Sequence, residues 1–159
     1  MPNECVFSPD RRYRYILIHR WDELLTPERG IAWIGLNPST ADEHRLDPTL
    51  RRIRTFSAAW GYAFFVMLNA FAWRATDPAD MKAAADPVGP DNDRWIAYWS
   101  TRVERVMLAW GEHGTHLERD RQVLGLLPSA RVFCLERNAS GQPKHPLYVA
   151  RHAVPQPFA

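Results

Sequence analysis

Residues 31–42, IAWIGLNPSTAD, constrain the fold more than any other stretch. Ile31, Ala32, Trp33 and Ile34 have the length and bulk of a strand buried on both faces, and Gly35 and Pro38 end it. In open α/β sheets the loops at the carboxyl ends of such strands border the ligand crevice. Asn37, Ser39, Thr40 and Asp42 are therefore expected at its edge. Taken alone, the same words fit an ordinary strand-to-helix turn.

The rest of the chain supplies neighbours for that strand. Residues 13–19, YRYILIH, have strand composition, with an edge position open to them, and residues 21–30 read as connector. Asp47 caps and Pro48 starts a helix whose apolar face is Leu50, Ile53, Phe56 and Trp60, and Gly61 ends it. Residues 63–68, AFFVML, read as a third buried strand that stops at Asn69 as the earlier one stops near Asn37. Two side-chain amides are thus expected at one edge of the sheet. A short helix around residues 79–85, a helix over 91–101, a strand over 103–110, a helix over 117–127 and a strand over 130–135 follow. The first ten residues and the tail from Val154 are expected to be mobile. Strands alternating with helices argue for a three-layer α/β/α fold with a central, mainly parallel sheet. A chain of 159 residues suits one such domain.

Net charge is only +2, and Lys82 and Lys144 are the only lysines, so the cationic surface is nearly all Arg. Arginine permits an anionic partner without demanding one. Cys5 and Cys134 stand alone, with no Cys/His spacing that builds a zinc or iron–sulfur site, and read as free thiols in a reducing compartment. The N-terminal residues lack the apolar core of a signal peptide and no run approaches a membrane span, so a cytoplasmic location without membrane contact is expected. The absence of a GxxxxGK[ST] loop argues against an ATPase.

Asn37, Asn69 and His145, each at the end of a strand or in a turn, make a set suited to a nucleobase, because a carboxamide donates and accepts in one plane. Here the sequence resembles the uracil-DNA glycosylase superfamily. GLNPS at 35–39 resembles its first active-site motif, in the GxNP form of the mismatch-specific branch. VMLNA at 66–70 is similar to its strand ending in a base-recognising Asn, VMLAWG at 106–111 to its later Trp-Gly strand end, and KHPLY at 144–148 to its His-Pro motif. RATDP and GQPKHPLY also resemble a widespread bacterial domain family of unassigned function.

The resemblance implies a monofunctional glycosylase that flips uracil or another deaminated base out of DNA, cleaves its N-glycosidic bond and leaves an abasic site. It implies that Asn69 reads O4 and N3 of uracil, that His145 donates to O2 as the bond breaks, and that Asn37 orients the attacking water. Gly35, Leu36, Pro38 and Ser39 would bound the base site. Leu147 would fill the space the base leaves, and Ser39, Ser140, Lys144 and nearby amides would hold phosphates. The protein is expected to act as a monomer with no metal or other cofactor. The chain departs from the pattern in four ways. Many members carry Asp at Asn37, so a nearby carboxylate is expected to serve the water, with Asp42 the candidate and Glu43 behind it. The stacking aromatic after the first motif is missing. Phe56 is the next aromatic, with His44 a substitute. Ser39 stands where some members use Tyr to exclude thymine, which predicts a broader base range, and the cluster-binding cysteines of some branches are absent. Two alternatives are a hydrolase or transferase acting on free nucleotides or nucleosides, and a non-catalytic module that recognises modified bases.

Overall fold

The computed structural model describes residues 2–22 and 29–158; residues 23–28, within the expected connector, lie outside them. Among the described residues the strands are β1 Glu4–Phe7, β2 Arg14–Arg20, β3 Gly30–Gly35, β4 Phe64–Asn69, β5 Arg105–Leu108, β6 Val132–Cys134 and β7 Gln156–Pro157. They form one sheet in the order β1, β2, β4, β3, β5, β6, β7. The central β4, β3, β5 and β6 run parallel, and β1, β2 and β7 are attached antiparallel.

Apolar residues at successive positions of the central strands serve opposite faces, as the strand period of two requires. Ile31, Trp33, Phe65, Met67 and Met107 pack with Leu50, Ile53 and Phe56 of α1 (Pro48–Ala59). Ala32, Ile34, Val66, Leu68, Val106 and Leu108 pack with Met81 of α2 (Pro78–Ala83), Ile96 of α3 (Asn92–Ser100) and Val123 of α4 (Arg119–Leu124). The result is the expected three-layer α/β/α arrangement. Helix α1 starts where the sequence implied: Asp47 accepts the Leu50 N–H at 2.9 Å, and Pro48 occupies the first turn.

Several boundaries differ from the expectation. Strand β2 is interior, because β1 pairs with its outer side with Glu4 opposite Ile18, so the edge belongs to residues expected to be mobile. The tail likewise carries β7, with Gln156 opposite Cys134. The helix expected over residues 117–127 begins only at Arg119. Before it, Glu112–Glu118 forms 3-10 turns, and Leu117 and Glu118 take positive φ of 55° and 56°. Gly114 lets those turns lie against Trp110, since a Cβ there would stand 2.1 Å from its ring.

Strand β3 leads through α1 to β4 on one side, and β5 leads through α4 to β6 on the other. Their outgoing loops part at the carboxyl ends of β3 and β5. Such a switch point is where an open parallel sheet forms a crevice.

Candidate functional site

A cleft of about 720 Å³ opens at that point, lined by the loops after β3, β4, β5 and β6. Gly35 lies opposite Asn69 in the parallel register, and the Ala70 N–H donates to the Gly35 carbonyl at 2.8 Å. The two strand ends therefore stay side by side. Asn37, Asn69 and His145 all line the cleft, as do Gly35, Leu36, Pro38, Ser39, Lys144 and Leu147.

The Asn69 side chain is only 1% exposed, and its Nδ2 has no hydrogen-bond partner. Buried amide nitrogens are rarely left so. The backbone carbonyl of Asn69 accepts from Asn92 Nδ2 at 2.9 Å. Asn37 spends its own Nδ2 on its loop, donating to the Ala75 and Pro38 carbonyls at 2.8 and 3.2 Å, and Oδ1 is the acceptor of the same amide. His145 caps the short 3-10 turn Pro146–Tyr148, its Nδ1 accepting the Leu147 N–H at 3.2 Å. In the neutral ring that bond assigns the proton to Nε2, the remaining donor. Burial pushes the His145 pKa below its ordinary value, opposed by the charge of Asp47, so the neutral donor form persists at neutral pH.

The rim is partly as expected. Leu147 and Tyr148 protrude at the mouth, 45% and 79% exposed. Lys144 Nζ lies 3.3 Å from Glu136 Oε1, and Ser39 Oγ shares a hydrogen bond of 3.1 Å with Thr76 Oγ1. Ser140 is not part of the lining: its hydroxyl donates to the Glu112 carboxylate at 2.7 Å.

Asp42, expected to serve the water, lies outside this cleft and lines a smaller neighbouring groove with Arg11, Arg12, Arg45 and Arg74. Its Oδ1 accepts the His44 and Arg45 amides at 2.8 and 3.2 Å, which folds the carboxylate back into its own loop and holds its pKa below the usual range. Glu43 is paired with Arg11 at 2.9 Å and driven down to about 2. Among the described residues two carboxylates line the cleft, Glu112, which accepts from Ser140, and Asp47, whose charge acts on both His145 and Arg14. Neither substitute aromatic reaches the site: Phe56 packs in the core 6.2 Å from Trp33, and His44 is exposed outside the cleft. Trp110 and Tyr148 supply the aromatic rings there, with Trp110 Nε1 donating to Gln142 Oε1 at 2.9 Å. Among the described residues no group of three or more His, Cys, Asp and Glu is arranged to hold a metal ion. No helix among them is long and apolar enough to cross a membrane.

Sequence reasoning missed Arg14. It lines the cleft from β2 and is 2% exposed, and among the described residues its side chain bonds to the Ala41 carbonyl, from Nη1 at 3.1 Å. An arginine among strand-forming residues carries no local sign of which way it points; its burial depends on the loop that folds over it.

The family described as "Protein of unknown function (DUF1643)" matches residues 14–147. The chain belongs to this family. Neither a curated protein nor a solved structure matches it. The DUF1643 match agrees with the resemblance of RATDP and GQPKHPLY to a family of unassigned function. It runs from Arg14 inside the cleft to Leu147 at the rim, and of the lining residues only Tyr148 falls beyond it.

Proposed function

We propose that this DUF1643 chain is a monofunctional DNA glycosylase that hydrolyses the N-glycosidic bond of uracil and related damaged bases. One observation carries the reading: the buried, unpartnered Nδ2 of Asn69 lines the same cleft as the Nε2 donor of His145. These are the groups that the resemblance to the uracil-DNA glycosylase superfamily assigns to base reading and leaving-group stabilisation.

In this mechanism the damaged nucleotide rotates into the cleft, at a cost of a few kcal/mol that is least at a mismatch. Asn69 Oδ1 accepts from N3–H of uracil and Nδ2 donates to O4. The bond from C1′ to the base nitrogen breaks, and its electron pair stays on the base. His145 Nε2–H donates to O2 as that charge grows, a preorganised contact of the kind worth roughly 3 kcal/mol. Asn37 Oδ1 orients a water whose oxygen bonds to C1′, and the Asp47 carboxylate, in place of Asp42, takes its proton. Leu147 occupies the vacated space in the duplex. Lys144 is engaged with Glu136 and forms no Schiff base, so the product is an intact abasic site.

The test is a labelled oligonucleotide with one U·G pair, incubated with protein, treated with alkali and resolved on a gel. Wild type should give scission, and Asn69→Ala and His145→Ala should each lose about 100-fold. No scission with uracil, hypoxanthine or xanthine, or scission untouched in both variants, refutes the reading.

A further inference from the structure

Arg14 is hard to explain as a structural residue. A buried guanidinium ordinarily meets a carboxylate or several carbonyls, because an unpaired charge away from water is costly. Here Nη1 bonds to the Ala41 carbonyl, Nε is buried without a partner, and among the described residues no carboxylate is recorded within ion-pair distance. Cys5, Asp47 and Asp42 favour its charge, and Arg74 opposes it. Burial lowers its pKa to about 10, which still leaves it charged at neutral pH.

Its position narrows what the charge is for. The pairing of Leu17 with Met67 and the bridge of Tyr13 with Trp73 bracket Arg14, setting it beside the chain that leaves β4 at Asn69. Two buried donors without partners, Arg14 Nε and Asn69 Nδ2, thus belong to neighbouring residues of one cleft, and His145 adds a third donor. The complement is a ligand rich in acceptors. The same cleft is lined by the apolar side chains of Leu36, Ile53 and Met67, which suit a flat ring better than a phosphate. A neutral ring would satisfy the donors and leave the cation unbalanced; an anionic one satisfies both.

We infer that Arg14 is the counter-charge of the cleft and selects the deprotonated form of an oxo-base, with the negative charge spread over its ring oxygens. The inference rests on the glycosylase reading for the ring's identity, since heterolysis of the bond to C1′ produces that anion. It adds a group, a specificity for acidic oxo-bases, and retention of the released base as an anion until solvent reprotonates it.

Free 5-nitrouracil is the probe, because its nitro group brings the ring N–H ionisation into mildly acidic solution and its absorption reports the ionisation. Bound to wild type, it should titrate at lower pH than in free solution by about one unit or more, a tenfold preference for the anion. Arg14→Gln should abolish the preference, Arg14→Lys should keep most of it, and Asn69→Ala should weaken both forms alike. Thermal melts show which variants fold, and the wild-type titration decides the matter even if Arg14→Gln does not. Equal affinity for both forms, no binding to wild type, an unchanged preference in folded Arg14→Gln, or displacement by inorganic phosphate would each overturn the inference. No bond is cleaved in this assay. Anion binding by a protein that excises nothing would defeat the glycosylase reading alone, and excision without anion preference would defeat this one alone.

Discussion

Replacing Gly35 with alanine probes the Asn69 carboxamide from its neighbouring strand. A Cβ at Gly35 would stand 2.6 Å from Met67 Cε and 3.0 Å from Asn69 Oδ1. The methionine methyl ends a flexible chain and swings away, whereas the carboxamide is hemmed in and must yield by a few tenths of an ångström. Overpacking costs about 1–3 kcal/mol, and the yielding methionine puts this case near the lower end. The loss of backbone freedom in the unfolded chain returns about 0.4–1 kcal/mol. The net destabilisation is therefore below about 1 kcal/mol, a fall in the urea midpoint of under about 0.5 M at a slope of about 2 kcal/mol/M. Excision should fall at least about tenfold, because a donor aimed at a transition state tolerates little displacement. Urea melts and single-turnover gels on one preparation measure both quantities. In a Met67→Leu background, which removes the Cε, stability should recover and excision should not. Unchanged excision in folded Gly35→Ala would refute the reasoning, since it would mean that moving the amide does nothing.

Asp47→Asn keeps the cap of α1, as Asn caps as well as Asp, so its melt should match wild type while excision drops at least about tenfold; Asp42→Asn, outside the cleft, should turn over normally, and the reverse pattern would return the water to Asp42. His19 and His145 both have pKa values lowered by burial, so the folded protein resists their protonation more than the unfolded chain does. Stability should be full above the ordinary histidine pKa of about 6.5 and fall as pH drops below it, seen as a lower urea midpoint at about pH 5 than at about pH 8; a profile that His19→Gln and His145→Gln leave equally steep would exclude these groups as its source. Ser57→Ala removes the oxygen that accepts the buried Trp33 Nε1–H at 3.0 Å and should cost about 1–3 kcal/mol in the urea midpoint analysis, with a negligible loss counting against that bond as a stabiliser.

Local chemistry made much of this legible. Asp47 and Pro48 mark the start of α1 because capping is decided within four residues, and the runs 31–34 and 63–68 reveal buried strands because no polar residue interrupts them. The shared edge of Asn37 and Asn69 followed from that pattern. Features decided by distant partners were not legible. Strand β1 is four residues whose pairing with β2 closes over a turn, and β7 has only two residues. Leu117 and Glu118 adopt positive φ without the glycine that would signal it. Asp42 and Asp47 lie in one loop and both accept backbone amides, and only the path of the chain sets Asp47 against the cleft and Asp42 outside it. Asn92 looked like a helix residue, and nothing local said that its amide reaches back to β4.

That reach has a consequence for how a ligand is judged. The Ala70 carbonyl accepts from Asn92 Nδ2 at 3.2 Å and from buried Arg119 Nε at 2.6 Å, while the Ala70 N–H is held by Gly35. The peptide that carries Asn69 is thus clamped from the neighbouring strand and from two helices, and Ala70 should be among the slowest backbone amides to exchange with deuterium. A carboxamide carried on so fixed a peptide is presented to every ring from the same backbone position. Selection at this position would then work by refusal, with mismatched rings leaving faster rather than arriving more slowly.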